Sequence, residues 1–164
     1  MFDVAFENGL LNLARTFFEA AQAPARACPL TVASPLVVLY SAGREVTGFL
    51  ADAGKDRCIL ANADDFALMR LLGGVEGSVI SCGLGGKNSI TASSIESERD
   101  MTSFLLCVQR GIYDLYRNFL EPGELVINIR GADIDINKAM LVSAAAVMCG
   151  AAHEKIKNMA FLPV

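Results

Sequence analysis

Asn62-Ala63-Asp64-Asp65 places an amide and two adjacent carboxylates directly after the apolar run Cys58–Ala61 and directly before an apolar-periodic segment that ends at Leu72. Two kinds of chemistry suit these side chains. A carboxylate at a helix start accepts hydrogen bonds from exposed N–H groups and stabilises the helix by about 0.5–2 kcal/mol. In parallel α/β sheets ligands gather beyond the carboxyl ends of strands, so the same loop is also placed to hold a ligand, or Mg²⁺ with a phosphate-bearing substrate. Capping explains one carboxylate and leaves the second unexplained. Asn62, Asp64 and Asp65 are therefore candidate ligand-binding residues, with a third carboxylate drawn from Asp133 or Asp135. Asn137 is the fourth candidate: it stands in the first turn of an otherwise apolar helix, where it is either a cap or exposed first-turn residue or a ligand contact.

Other chemistries find no support. The stretch Ser81–Ile90, SCGLGGKNSI, invites a phosphate-loop reading, but G-x-x-x-x-G-K-[ST] requires glycine where Ser81 stands and Ser or Thr where Asn88 stands. It also requires a helix where the strand-like SITASSI follows, so a glycine-rich connection between strands fits better. Lys55 lies beyond its helix. G-x-S-x-G is absent, and the single histidine, His153, follows a run of alanines near a helix end and has no evident acidic orienting partner. Ser93, Ser94, Glu96 and Glu98 read as a polar edge in a solvated loop. The five cysteines are widely spaced and form no C-x-x-C, which excludes a structural zinc site and suits reduced, buried thiols. No catalytic residue, metal site or cofactor is expected.

The elements that must position these residues follow from periodicity. Residues 4–23 predict a helix with Leu10, Leu13, Phe17 and Ala21 on one face, ended near Pro24 and Pro29. Leu36–Ser41 predicts a buried strand, AGREVTGFLADAGKD a short helix, RCILA a strand, and Asp64 or Asp65 the start of a helix through Leu72 that Gly73-Gly74 closes. SVISCGL and NSITASSIES predict two further strands. Strand–helix alternation implies parallel pairing. Residues 101–120 fit strands or a helix, and β propensity at Phe104, Val108, Ile112 and Tyr113 favours strands. GELVINI predicts a strand, DIDINKAMLVSAAAVMCGAAHEKI a long Ala-rich helix interrupted near Gly150, and NMAFLPV a terminal strand. We expect one α/β domain over 1–164: a mainly parallel sheet with flanking helices and a small antiparallel section, with an N-terminal helix over 1–30 covering a sheet edge and a core over 36–150.

Taken in order, these segments resemble the later part of the central domain of Mur ligases, a family related to folylpolyglutamate and cyanophycin synthetases. The N-A-D-D at Asn62–Asp65 resembles the family's strand end. SVISCGLGGKNSITASSI resembles its next strand pair, and EPGELVINIRGADIDINKAMLVSAAAVMCG resembles its P-G-x-H-N-x-x-N segment and Ala-rich helix. The resemblance implies that Asn137 takes the place of the Asn that approaches adenine. Asp133 and Ile134 stand where His and Asn would be, which argues against nucleotide binding. The family's G-T-x-G-K-[ST] loop, magnesium ligands and modified lysine have no counterpart here. Since phosphoryl transfer needs positive charge and metal on the moving group, the resemblance implies scaffold without ligation.

Composition bounds the rest. With 53% hydrophobic residues, a net charge of −4 and mean hydropathy +0.41, the chain is too apolar for disorder and carries no basic patch for nucleic acid. No run reaches membrane-spanning length, and the acidic N-terminus lacks a secretory signal's basic start. We expect a cytoplasmic, non-catalytic binding or interaction module. The apolar excess implies either a deeply buried sheet or a homo-oligomer or partner protein covering exposed surface, with a small molecule as a further ligand. The alternative is a Mg-dependent enzyme acting on a phosphate-bearing small molecule through Asn62–Asp65.

Overall fold

The computed structural model describes residues 1–52, 57–131 and 134–157. In chain order the elements are β1 (Phe2–Phe6), α1 (Asn8–Ala20), β2 (Ala25–Pro29), β3 (Leu36–Leu39), α2 (Arg44–Asp52), β4 (Cys58–Asn62), α3 (Phe66–Leu72) and β5 (Ser78–Cys82). They continue with β6 (Ile90–Glu98), β7 (Met101–Val108), β8 (Ile112–Tyr113), β9 (Phe119–Leu120), β10 (Gly123–Arg130), α4 (Ile136–Met148) and α5 (His153–Lys157).

Period-two alternation divides the interior into two cores. Val4 and Phe6 of β1, Leu36 and Val38 of β3 and Leu60 of β4 face one core, while Ala5, Val37, Leu39, Ile59 and Ala61 face the other. A strand buried on both faces needs an unbroken apolar run, which is what LVVL and CILA supply. Leu10, Leu11, Ala14, Phe17 and Phe18 of α1 cover the first face together with α4; Val46 of α2 and Leu68 and Leu72 of α3 cover the second. In α4 every residue from Ala139 to Met148 is buried, and its alanines let it lie close against β3 to β7 and α1. The helix ends at Gly150, whose φ of 81° suits glycine. Much of the apolar excess therefore lies inside.

The eight-stranded sheet has the order β10-β7-β6-β5-β4-β3-β1-β2, parallel from β2 to β6 and antiparallel at β6–β7 and β7–β10. β8 and β9 form a separate antiparallel pair. Residues 101–120 are thus strands rather than helix, as β propensity favoured.

Three expectations change. The first 30 residues are not a helix over an edge: they are β1–α1–β2, with β1 inside the sheet between β2 and β3. Val4-Ala5-Phe6 satisfies both periods, and burial on two faces decides for strand. Ser93, Ser94, Glu96 and Glu98 lie on β6, in its outward half, rather than in a loop. Of the five free cysteines only Cys82 and Cys149 are buried; Cys28, Cys58 and Cys107 are half-buried. The proposed terminal strand and Asp133 fall outside the described residues.

Ser143 is fully buried in the middle of α4, and its Oγ has no hydrogen-bond partner among the described residues. A hydroxyl buried without a partner costs roughly 1–3 kcal/mol, so Ser143→Ala is expected to stabilise the protein by about 1 kcal/mol in urea unfolding. A loss of stability would show that the hydroxyl is satisfied.

Candidate functional site

The chain runs from β1 through α1 out to β2, then returns to the opposite side of β1 as β3 and proceeds through β4 and β5. This reversal opens a crevice at the carboxyl ends of β1 and β3, the place where ligands bind in open α/β sheets. The turn after β3, Tyr40 to Gly43, sits at that crevice and leads into α2. Its successive N–H groups form a natural anion nest.

The nest holds the protein's own carboxylates. Glu7, the single residue between β1 and α1, is 8% exposed. Its Oε2 accepts the Tyr40 N–H at 2.8 Å and the Ser41 N–H at 3.0 Å, and its Oε1 accepts the Ser41 hydroxyl at 2.7 Å. The next N–H in line, that of Ala42, donates to Asp65 Oδ2 at 3.2 Å. Asp65 Oδ1 accepts the Leu68 N–H at 2.9 Å and so caps α3.

Tyr40 joins the remaining parts. Its carbonyl accepts from Asn62 Nδ2 at 3.0 Å, and its hydroxyl donates to Asp135 Oδ2 at 2.5 Å. That bond, together with burial, pushes the Tyr40 phenol up to about 12. Asp135 Oδ1 caps α4 through the Lys138 N–H at 3.1 Å, and the Lys138 ammonium lies 5.0 Å from the Tyr40 ring centroid. Asn62 Oδ1 accepts the Asp64 N–H at 3.2 Å.

The structure thus brings Asn62 and Asp65 together around the β3–α2 turn. Asp64 turns away from it: its Oδ2 accepts the Leu84 N–H at 2.9 Å and ties the β4–α3 loop to the glycine-rich connection. A Cβ at Gly83 would lie 2.7 Å from Asp64 Oδ1 and 2.9 Å from Asn88 Nδ2, so this close approach depends on glycine. Asn137 shares no hydrogen bond with the other three candidates among the described residues, and its buried Oδ1 has no partner. Asp135, not Asn137, caps the helix.

Two central residues, Glu7 and Tyr40, escape the sequence reading. Glu7 was hidden inside a predicted helix. Its only signal is an acidic residue directly after a two-faced apolar run and before Asn8-Gly9, where a strand hands over to a helix.

The carboxylates of Glu7, Asp64, Asp65 and Asp135 all accept backbone N–H bonds. Among the described residues no group of three or more His, Cys, Asp or Glu side chains is placed to hold a metal ion. A phosphate reaching the Tyr40–Ser41 amides must first displace Glu7. A phosphate loop needs eight residues between strand and helix, whereas one residue separates Phe6 from Asn8, and the buried Leu10 and Leu11 follow.

No family sequence model and no curated protein sequence matches the chain. Solved structures do. The chain superposes on UDP-N-acetylmuramoylalanyl-D-glutamyl-2,6-diaminopimelate–D-alanyl-D-alanyl ligase from Acinetobacter baumannii with a TM-score of 0.68 at 10% identity, over 96% of this chain and 44% of that one. A UDP-N-acetylmuramoyl-L-alanyl-D-glutamate–2,6-diaminopimelate ligase gives 0.64 at 9% identity, over 96% and 45%. UDP-N-acetylmuramate:L-alanyl-gamma-D-glutamyl-meso-diaminopimelate ligase from Neisseria meningitides gives 0.61 at 14%, over 99% and 66%. The fold is therefore Mur-ligase-like, and the chain spans less than half the length of the first two ligases. The matched region takes in β1–α1–β2, so the likeness begins earlier than residue 36. Among the described residues no helix is long and apolar enough to cross a membrane.

Proposed function

We propose that this chain is a non-catalytic Mur-ligase-like module that binds a partner protein or small molecule instead of turning over ATP. The observation that carries the reading is Glu7: its carboxylate holds the Tyr40 and Ser41 amides and the Ser41 hydroxyl at the switch-point crevice. A nucleotide phosphate at those amides would lose three charge-assisted bonds before making its own, and would face an anionic side chain. Among the described residues the cations next to the turn are Lys138, stacked on Tyr40, and Arg44, exposed at the start of α2, and neither comes with the glycine-rich loop and metal ligands that phosphoryl transfer demands.

Binding is supported by what the surface offers. Phe66 is 84% exposed, Tyr113 65% and Phe119 53%. Large exposed aromatics of this kind favour a second copy or a partner as cover. A Mg-dependent reaction through Asn62–Asp65 has weaker support, because Asp65 commits both oxygens and Asn62 both ends of its amide to the fold.

Calorimetry and a phosphate-release assay on the full chain with ATP and Mg²⁺ test the reading. We expect no saturable binding and no turnover. Tight ATP binding or hydrolysis would overturn it. Light scattering tests assembly: a dimer or larger species is expected, and a strict monomer would remove homo-oligomerisation from the proposal.

A further inference from the structure

At the opposite, amino end of the sheet, β5 has an open flank. It pairs with β4 along its whole length, Cys58↔Ser78 to Asn62↔Cys82, but with β6 at one position, Cys82↔Ile90. The Ser78 N–H donates to the Arg57 carbonyl and the Cys82 carbonyl accepts from the Ala63 N–H, so the even-numbered residues turn their backbone groups toward β4. Backbone direction alternates along a strand, so Val79 points its N–H and C=O the other way. There β6 starts too late to meet it. Half-buried backbone groups at a sheet flank are a template for an added strand.

That flank borders a cavity of about 690 Å³, whose far wall is Gly111, Ile112 and Tyr113. The volume lies in the range of specific ligand sites, roughly 300–1,000 Å³. Ser78 and Ser89 line it, and so do Asp114 and Arg117. Asp114 is committed elsewhere: its Oδ1 accepts the Tyr116 and Asn118 N–H groups at 2.8 and 2.7 Å, and its Oδ2 accepts Asn118 Nδ2 at 2.9 Å. These bonds build a firm turn that holds Arg117 at a φ of 64°, a strained setting for a side chain larger than glycine. Two guanidiniums border the cavity. Arg57 lies over the Phe49 ring at 5.7 Å, with its Nε and Nη1 buried and without a hydrogen-bond partner among the described residues. Arg117 is exposed and has no carboxylate partner among them, so it is the cation with its charged end open to a ligand carboxylate.

We propose that this cavity binds a short acidic peptide in extended form, paired to β5 at Val79 and gripped through a carboxylate by Arg117. An extended peptide uses both features, the backbone ladder and the cation, in the mode of strand addition. A free anion would use only the second. The inference gives the binding module of the preceding reading a location, and it stands at the other end of the sheet from Glu7. ATP binding at the nest would overturn that reading and leave this one intact.

The test uses the full chain, with amide chemical shifts to locate binding and calorimetry to measure it. The probe is the capped tripeptide acetyl-Glu-Val-Glu-amide; acetyl-Lys-Val-Lys-amide and glutarate are the comparisons. The acidic peptide should shift the Val79, Ser81 and Tyr113 amides and bind more than about tenfold tighter than either comparison, a difference expected of charge-assisted bonds added to a strand ladder. Arg117→Gly removes the guanidinium and relieves the positive φ, so it should fold at least as well as the parent and still bind the acidic peptide at least about tenfold more weakly. Arg117→Lys should retain most of the affinity. Absence of shifts with the acidic peptide, equal binding by Arg117→Gly, or glutarate binding as tightly as the peptide would each overturn the proposal.

Discussion

Glu7→Ala is expected to lower the unfolding free energy by about 3–4 kcal/mol, since two backbone N–H groups lose their acceptor at roughly 1–3 kcal/mol each. The groups left behind are the Tyr40 and Ser41 amides, bonded to Oε2 at 2.8 and 3.0 Å. The Ser41 hydroxyl, at 2.7 Å from Oε1, can rotate toward water and adds little. Glu7 is nearly buried, so solvent does not fully replace the carboxylate. Glu7→Gln can keep its one carbonyl oxygen on both amides while its NH2 donates to a rotated Ser41 hydroxyl, so it loses chiefly the charge assistance and should cost no more than about half as much. For a domain with a total stability of about 5–15 kcal/mol the alanine change is severe. The same vacated turn should then bind an added anion: acetate or inorganic phosphate at high concentration should raise the melting temperature of Glu7→Ala more than that of the parent, by linkage. Urea unfolding and thermal melts with and without the anion measure both effects. A loss below about 1 kcal/mol would mean the nest is solvated and the carboxylate incidental.

What the sequence could and could not disclose divides along physical lines. LVVL and CILA show their strands because burial on two faces demands apolar runs that no helix of that length explains, and SVISC shows its own by alternation, with Ile80 and Cys82 buried on one face. The run FDVAF carries the same signal, yet it merges with α1, whose Leu10, Ala14 and Phe17 spacing extends backward across Glu7. One residue of separation is too short to register as a break. The candidate site was half legible for a related reason. Helix caps are local, so neighbouring residues narrow the start of α3 to Asp64 or Asp65 and that of α4 to Asp133 or Asp135, and the structure has Asp65 and Asp135 as the caps. Bonds between Glu7 and the β3–α2 turn span more than thirty positions, and that between Tyr40 and Asp135 spans 95. Only the strand order brings these groups together, and strand order is not written in any one segment.

The adjacent pair Asp64-Asp65 separates into unequal parts once each oxygen has a partner. Asp65→Ala is expected to cost about 2–3 kcal/mol: about 1 for the lost cap on Leu68 N–H, and a similar amount or more for the orphaned Ala42 N–H. Asp65→Asn retains an oxygen for the cap and should lose about 1 kcal/mol, chiefly at Ala42. Asp64 is exposed and makes one bond, to the Leu84 N–H, so Asp64→Ala should cost no more than about 1 kcal/mol. The opposite ranking follows if the pair is a cation site. Two carboxylates held close for Mg²⁺ repel in the free protein, so Asp64→Ala would then stabilise it and abolish a Mg²⁺-dependent rise in melting temperature. Unfolding of the parent and both alanine variants, each with and without Mg²⁺, distinguishes the two. Asp65→Ala as the larger loss, with no metal dependence in any of the three proteins, places the second carboxylate in the service of the glycine-rich connection. A metal-dependent rise that either substitution removes would return the loop to catalysis.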